Sequence, residues 1–398
     1  MTPKNCVVQA MTAQERQQQG SGSNHRRPHR NDVSRANGTR RDQLYGVLDL
    51  GTNNCRLLVA KPEGRSFRVV DAFSRIVRLG EGLAKTGQLS EEAVDRAISA
   101  LKICARKMRD RRVTHMRNVA TQACRQAINC EEFVSRVRKE TGLELDIIAP
   151  AEEARLAVMG CQALIDPQCR RAIVFDIGGG STELIWTAIE RNNTPRILGW
   201  TSVPYGVVNL SELFDCRDAV TPETYSKMVA TVRDRLLPFD KRYNLSPAIK
   251  KGRVQMLGTS GTVTTLTSLH MELPKYDRSV VDGAWMQSSD LRQLSERLSG
   301  MDFAARSKFG CMGADRAELV VAGCAILDAI FDLWPVERIR VADRGIREGM
   351  LIDLMGGKAR QVNRRRGSGK RRRGYNGSRN RNKQTGDAKP QGEHNDRS

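Results

Sequence analysis

Hydrophobic and polar residues alternate with strand and helix periods in turn between about residues 44 and 356. Residues 45–49 (YGVLD) form an apolar run that ends at Gly51, and residues 55–60 (CRLLVA) return after a short turn. This pattern predicts a β-hairpin. After Ser90, apolar residues recur at 94, 98, 101, 105 and 108, which is the spacing of one buried helix face behind a serine cap. The body therefore begins with a hairpin followed by a helix.

The alternation continues toward the middle of the chain. The pattern predicts, in order, a strand over 116–121, a helix over 131–141 that ends at Gly142, a strand over 143–149 and a helix that begins after Pro150.

One supersecondary unit occurs twice. Residues 172–176 (AIVFD) are an apolar strand that runs into three glycines, and residues 182–188 return as its hairpin partner. The same arrangement, a strand followed by Asp-x-Gly and a hairpin, thus occurs around 49–51 and again around 176–178. The repeat predicts two related α/β domains that face each other across a cleft. Further strand-to-helix turns are expected at 256–262 and 339–345.

Charge is concentrated at the two ends of the 398-residue chain. The formal net charge is +21, but residues 1–43 contribute +5 and residues 357–398 contribute +11, which leaves +5 for the body. Both ends are polar and aperiodic, with too few apolar residues to offset the entropy of ordering, so we expect them to be disordered. The body is only mildly basic, so the isoelectric point alone does not identify a nucleic-acid-binding protein.

Several functional classes are disfavoured by composition. The ten cysteines form no CxxC pair and follow no secretory segment, which favours reduced thiols in a cytoplasmic protein. Neither a signal peptide nor a membrane span is expected. Only His115 and His270 lie in the body, in unrelated contexts, so a histidine-built metal site and a Ser-His-Asp triad are both disfavoured.

The glycine-rich loop at 176–183 (DIGGGSTE) carries the strongest chemical signal. Consecutive glycines allow backbone N–H groups to surround an anion, and Ser181 and Thr182 add hydroxyl donors. The carboxylates at its ends, Asp176 and Glu183, suit a hydrated Mg²⁺ better than a phosphate. A tight hairpin that needs glycine only for its geometry would give the same pattern.

Two more loops of the same kind favour the phosphate interpretation. Residues 49–56 (DLGTNNCR) offer Thr52, Asn53 and Asn54 as donors and Arg56 as a bidentate phosphate ligand. Residues 258–262 (GTSGT) enter a helix, where N–H groups and the helix dipole favour an anion. Three such loops in one chain indicate a phosphate-binding cleft.

An acidic pair, Glu152 and Glu153, begins the helix after Pro150. Acidic residues in a first turn commonly complement the helix dipole. Alternatively, one carboxylate faces the cleft and accepts a proton from an attacking water. The pattern does not distinguish these alternatives. Arg125 and Arg316 could each reach the cleft or remain solvated.

Taken in order, the motifs resemble those of the exopolyphosphatase/guanosine-pentaphosphate phosphatase (Ppx/GppA) family. They are 49–56 (DLGTNNCR), 121–127 (TQACRQA), 152–156 (EEARL), 175–184 (FDIGGGSTEL), 258–262 (GTSGT) and 343–349 (DRGIREG). The resemblance implies an actin-like fold of two ribonuclease-H-like domains around a central cleft. It also implies Mg²⁺-dependent hydrolysis of the terminal phosphoanhydride of polyphosphate or of pppGpp.

The resemblance also implies a role for each matching residue. Glu153 would be the catalytic base, Asp176 and Glu183 would hold the metal and position water, and Arg125 and Arg56 would clamp phosphate. Arg316 matches a less certain arginine of the cleft. The implied phosphate-binding set is completed by loop residues: Thr52, Asn53, Asn54, Gly178, Gly179, Gly180, Ser181, Thr182, Ser260, Gly261 and Thr262.

The expected organisation is the short, two-domain form of the family. We expect domain I over 44–150, completed by 337–356, and domain II over 151–336. Asn54 stands where the family often has serine, and no His-Asp pair occurs anywhere, so the additional helical domains of long members are expected to be absent. A homodimer is compatible with the short form.

We expect polyphosphate as the substrate, because a long polyanion can bind the basic tail with release of counterions. The first alternative is pppGpp. A second is an RNA-associated protein that acts through its basic tails, although aromatic residues make up only 5 % of the chain. A third, an actin-like ATP-dependent kinase, would leave Glu153 unexplained.

Overall fold

The computed structural model describes residues 43–64, 66–191 and 194–367. Two sheets, each covered by helices, form the body of the protein. Of the predicted tails at 1–43 and 357–398, only Gln43 and residues 357–367 lie within the described ranges. The predicted RNA contact through the tails therefore falls largely outside the described residues. Within the described ranges, no helix combines the length and the apolar composition that a bilayer-spanning segment needs.

The first sheet has five strands in the order β3-β2-β1-β4-β5. β1, β2 and β3 form an antiparallel meander, while β4 and β5 run parallel to β1. The strands are β1 (Tyr45–Leu50), β2 (Asn54–Glu63), β3 (Ser66–Ile76), β4 (His115–Ala120) and β5 (Asp146–Ile147).

The second sheet repeats this topology and adds one strand at its edge. Its order is β10-β11-β9-β6-β7-β8, with β6, β7 and β8 as the meander and β9 parallel to β6. The strands are β6 (Arg171–Ile177), β7 (Thr182–Ile189), β8 (Pro195–Val203), β9 (Val254–Thr259), β10 (Trp285–Gln287) and β11 (Arg338–Ala342).

Helices connect and cover the sheets, and several begin and end where the sequence indicates. Ser90 accepts a hydrogen bond from the Ala93 amide, and Gly142 ends its helix in the left-handed conformation, as predicted. The helices of the first half are α1 (Leu83–Thr86), α2 (Glu91–Asp110), α3 (Gln122–Gln126), α4 (Cys130–Thr141), α5 (Pro150–Cys161) and α6 (Val207–Phe214). Those of the second half are α7 (Pro222–Tyr243), α8 (Leu245–Lys250), α9 (Gly261–His270), α10 (Arg278–Val281), α11 (Ser288–Ser299), α12 (Phe303–Ser307), α13 (Ala314–Ala317), α14 (Val320–Leu333) and α15 (Ile346–Gly367).

Strand register makes the internal repeat explicit. Asp49 lies opposite Arg56 in the first sheet, and Asp176 lies opposite Glu183 in the second. In each sheet the aspartate is the last residue but one of its strand, so the repeat places the two acids at equivalent strand ends. The predicted duplication of an α/β unit is confirmed.

Helices α5 and α15 cross between the two sheets. Leu156 of α5 packs with Met350 and Leu351 against the first sheet, whereas Ala154 and Val158 pack against the second. The helix crossing is close: a Cβ on Gly160 would lie 2.0 Å from the Gly345 carbonyl oxygen. This helix pair therefore connects the two cores at the base of the cleft.

Three predicted boundaries differ from the structure. Strand β11, predicted within the 337–356 completion of domain I, pairs with β9 and β10 in the second sheet, so only α15 returns to the first domain. Strand β5 is only Asp146–Ile147, because β4 pairs with it through just two residues. Helix α15 continues to Gly367, past the predicted start of the tail at 357.

Candidate active site

The strand ends of both sheets meet at a cleft of about 670 Å³. Its walls include the turn after β1, the glycine loop after β6, the first turn of α5 and the start of α9. Most of the predicted site residues line it: Thr52, Asn53, Asn54, Arg56, Glu153, Asp176, Gly178, Gly179, Gly180, Ser181, Glu183, Ser260, Gly261, Thr262 and Arg316.

The glycine loop is held from behind by α6. The Gly178 and Gly179 carbonyls accept hydrogen bonds from the Val207 and Val208 amides at 3.0 and 2.8 Å, and the Gly180 carbonyl accepts from Asn209 Nδ2 at 2.8 Å. Within the described part of the chain, the N–H groups of Gly179 and Gly180 have no acceptor. Because their carbonyls are fixed on the helix side, these N–H groups can surround an anion in the cleft.

The loops of the two domains touch each other across the cleft. A Cβ on Gly179 would lie 2.9 Å from the Asn53 amide nitrogen, and one on Gly180 would lie 1.9 Å from Gln122 Oε1. Gln122 is itself held by a 3.0 Å hydrogen bond from Thr52 Oγ1. Only glycine permits this approach, which is a requirement beyond the turn geometry itself.

The third predicted phosphate loop also has the features of an anion site. Ser260 precedes α9 with a φ of 100°, a conformation that non-glycine residues rarely adopt. Its hydroxyl oxygen is buried and has no hydrogen-bond partner among the described residues. The α9 N-terminus contributes its dipole at the same point, so an anion bound there would satisfy the hydroxyl.

Glu153 lies at the wall of the cleft and is only 6 % exposed. Arg125 Nη1 donates to its Oε2 at 2.8 Å and to the Ile148 carbonyl, also at 2.8 Å. The other oxygen of Glu153, Oε1, has no hydrogen-bond partner within the described ranges. Burial raises the pKa of Glu153 well above its usual range, the charges of Glu183 and Asp176 raise it further, and Arg125 opposes the shift.

The neighbouring acids are also perturbed. Burial and the charge of Glu183 raise the pKa of Asp176 to about 7, while Arg56 opposes the shift. Burial raises the pKa of Glu183 as well, although the Ser181 and Ser202 hydroxyls donate to its Oε1 at 2.7 Å each and work in the opposite direction. Such a cluster of buried carboxyls is typical of functional sites.

The cluster suits a hard divalent cation held by few protein ligands. Asp176 and Glu183 are direct partners in the β6–β7 ladder, so both can supply oxygen to one side of the cleft. Among the described residues, no group of three His, Cys, Asp or Glu side chains converges as a complete site. Mg²⁺ commonly takes one or two carboxylates and completes its shell with water and phosphate oxygens, so these two residues fit it.

Two predicted residues lie apart from the cleft lining. Thr182 is fully buried, and its hydroxyl donates to the Tyr205 carbonyl at 2.8 Å, so its side chain holds the loop instead of facing the cleft. Arg125 contacts Glu153 from behind. Arg316 does line the cleft, with its guanidinium 3.1 Å from Thr265 Oγ1 and over the ring of Tyr276.

The structure adds lining residues that sequence reasoning did not select. Asp49 is the repeat counterpart of Asp176, and burial raises its pKa; the duplicated Asp-x-Gly could have identified it. Gln122 belongs to the 121–127 motif. The additions also include three arginines at the end of β3 and near it, for which the sequence carries no local signal: Arg75, Arg78 and Arg96.

Comparison with known proteins identifies the family. A model of the Ppx/GppA phosphatase family matches residues 58–358. The chain belongs to the Ppx/GppA phosphatase family. It is therefore a phosphatase, and the resemblance inferred from its motifs is confirmed.

Ppx/GppA relatives cover most of the body. Exopolyphosphatase 2 of Mycobacterium tuberculosis is 28 % identical over 323 residues, which are 78 % of this chain and 98 % of the relative. A putative exopolyphosphatase of Haemophilus influenzae is 27 % identical over 309 residues, which are 77 % of this chain and 90 % of the relative.

Solved Ppx/GppA structures share the fold. An exopolyphosphatase from Cytophaga hutchinsonii superposes with a TM-score of 0.71 at 26 % identity and covers 79 % of this chain and 98 % of its own. The Aquifex aeolicus family member gives 0.65 at 27 % identity, with the same coverage. The predicted actin-like, two-domain architecture is confirmed.

Proposed function

We propose that this phosphatase is an exopolyphosphatase that hydrolyses the terminal phosphoanhydride of inorganic polyphosphate and releases orthophosphate. One observation carries the proposal: phosphate-type loops from both domains meet at one cleft. Beside them lies the buried carboxylate of Glu153, whose Oε1 is free to act. The named exopolyphosphatases among the relatives support the same substrate class.

The composition of the cleft favours polyphosphate over pppGpp. Five arginines line it, whereas none of the described lining residues is aromatic, so it offers no ring on which a guanine base could stack. A chain of phosphates needs cations and donors along its length and no base-binding surface.

Glu153 is suited to act as the general base. Its Oε2 is fixed by Arg125, which leaves Oε1 to accept a proton from water in line with the terminal phosphorus. Because burial raises its pKa, the carboxylate is a stronger base than an exposed glutamate. Arg125 is then a positioning residue that holds the correct rotamer and limits the pKa shift.

The loops supply the charge stabilisation that phosphoryl transfer requires. The Gly179 and Gly180 amides, the α9 N-terminus with Ser260, and Arg56 surround the position of the transferred group, where they can bind its equatorial oxygens. A Mg²⁺ held by Asp176 and Glu183 would neutralise further negative charge on the phosphates when bound.

The test is a side-by-side assay of phosphate release from long-chain polyphosphate and from pppGpp by the full chain with Mg²⁺. We expect a higher kcat/KM for polyphosphate. A clear preference for pppGpp would replace the proposal with guanosine pentaphosphate phosphohydrolysis. Cytoplasmic location, a homodimer and RNA contact through the tails remain predictions.

A further inference from the structure

The arginines around the cleft fall into two groups according to their partners. Three are held by carboxylates: Arg78 by Glu318 at 2.5 Å, Arg96 by Glu81 at 2.7 Å and Arg125 by Glu153 at 2.8 Å. Their charges are already largely neutralised. A substrate would have to displace a carboxylate to bind them fully.

Arg56, Arg75 and Arg316 form the second group. All three line the cleft, and none has a carboxylate within ion-pair distance in the described part of the chain. Arg316 is held beside α9, where it donates to Thr265 Oγ1. Arg75 is exposed at the end of β3, with its guanidinium 5.4 Å from the centre of the Phe73 ring. The ring provides a surface against which the guanidinium rests while its N–H groups stay available.

Strand pairing places Arg56 and Arg75 close together at the end of the sheet, with their side chains on opposite faces. Arg56 lies opposite Ser74, and Cys55 lies opposite Arg75, in the β2–β3 ladder. Successive residues of a strand point to opposite faces, so Arg75 shares the face of Cys55 and Phe73 while Arg56 points to the other face. The end of the sheet therefore carries one cation on each face: Arg56 beside Asp49 and Asp176, and the exposed Arg75.

A second edge of the cleft is closed by acidic contacts between the domains. Glu318 binds Arg78 and also Arg217, the latter at 3.2 Å, and Glu212 accepts the Gly82 amide at 2.9 Å. The space enclosed there is only about 20 Å³. A polyanion leaving in this direction would meet carboxylates and have little room.

We propose that Arg75 is a specificity-determining residue that binds the distal phosphates of a polyphosphate chain, which leaves the cleft across the ends of β2 and β3. This inference rests on the proposed function and names the residue that distinguishes a long chain from a short one. Arg56 lies nearer the catalytic carboxylates and Arg316 is held beside α9, so Arg75, the exposed member of the three, is the position that distinguishes chain length.

The experiment compares Arg75→Gln and Arg75→Glu with Arg68→Gln in the full chain. Arg68 is a matched control because it is an exposed arginine on the same strand that does not line the cleft. Substrates are tripolyphosphate and long-chain polyphosphate, and kcat and KM are measured over a range of salt concentrations.

For Arg75→Gln we expect KM for long-chain polyphosphate to rise about fivefold with kcat nearly unchanged, since one exposed charge-assisted contact is lost. The effect on tripolyphosphate should be clearly smaller. The slope of log kcat/KM against log salt concentration should become shallower by roughly 0.7 to 1. Arg75→Glu should raise KM further, and Arg68→Gln should match wild type.

The outcomes separate this inference from the proposed function. If wild type hydrolyses long-chain polyphosphate and Arg75→Gln behaves like Arg68→Gln, the role of Arg75 is overturned and the proposed function stands. An equal loss on both chain lengths also overturns it. If wild type is inactive on every polyphosphate and active on pppGpp, both the function and the inference fail.

Discussion

The contact between the two phosphate loops can be tested with one methyl group. In Gly179→Ala, the new Cβ would lie 2.9 Å from the Asn53 amide nitrogen and 3.0 Å from both the Asn53 and the Thr52 Cβ atoms. Ordinary contacts of this kind need about 3.5–4 Å. Since these atoms belong to backbone and Cβ positions of the facing domain, the loops must separate by about 0.5–1 Å.

The expected loss of activity depends on how the protein accommodates this separation of the loops. Retaining the closed cleft would cost roughly 1–3 kcal/mol, as in other overpacked sites. Opening it about the α5–α15 crossing relieves the clash but displaces the Thr52–Asn53 loop from the glycine loop. A 1 Å misplacement can cost about 100-fold in rate, so we expect kcat/KM to fall about 10- to 100-fold. The free energy of unfolding should change by less than about 1 kcal/mol.

The assay is phosphate release from polyphosphate together with urea unfolding of the same variants. Gly356→Ala is the control, because a Cβ there meets no atom within 4 Å and the residue lies on α15 outside the cleft lining. It should retain activity within a few-fold of wild type. Wild-type kcat/KM in Gly179→Ala would refute the view that the two loops meet in the active enzyme.

Three further predictions concern stability and the metal. Arg306 is fully buried and donates to the carbonyls of Ala317, Met301 and Leu298 at 3.0, 2.7 and 3.3 Å. Arg306→Met should therefore lower the free energy of urea unfolding by about 3–5 kcal/mol, and a loss below about 1 kcal/mol would contradict this. Burial raises the pKa of Asp328 from 3.8 to about 6, so the folded state holds its proton more tightly and wild-type stability should fall as pH rises from about 4 to about 7. Asp328→Asn can still accept from Tyr225 and should gain about 3 kcal/mol relative to wild type between about pH 4 and about pH 8; a pH-independent difference would exclude the effect. Chelation with EDTA should abolish phosphate release, and added Mg²⁺ should restore it. Asp176→Asn should raise the Mg²⁺ concentration needed for the half-maximal rate. Full activity in EDTA would show that the reaction does not need the metal.

Local patterns were sufficient to predict the parts of the fold that repeat. Neighbouring residues specify the Asp-x-Gly hairpins after β1 and β6 and the helix ends at Ser90 and Gly142. These features can therefore be predicted from a short stretch of sequence. The edge strand β3 was not predicted, because Ser66–Ile76 mixes charged and apolar residues and forms only by pairing with β2. The sheet to which β11 belongs likewise depends on a partner distant in sequence.

The candidate site, too, could be predicted where short sequence patterns define it and not where distant contacts do. Loop composition predicted a phosphate cleft, and the lining positions of Gly179, Ser260 and Glu153 agree with it. The inward burial of Thr182 and the position of Arg125 behind Glu153 depend on side-chain direction, which the sequence pattern does not contain. The sequence around Arg306 does not distinguish it from an exposed arginine. In the structure its guanidinium donates to five carbonyls from three segments of the chain.

The central claim is that Glu153 is the base of a polyphosphate-hydrolysing cleft. The most direct test is the rate of phosphate release from long-chain polyphosphate by Glu153→Gln, measured beside Glu152→Gln. Glu152 precedes it on α5 but is bound to Arg155 and Arg117, at 2.7 and 2.9 Å, and does not line the cleft. Loss of a general base predicts a fall in kcat of roughly 10²- to 10⁴-fold for Glu153→Gln, with unchanged folding and near wild-type activity in Glu152→Gln. Normal turnover by a folded Glu153→Gln protein would contradict the account.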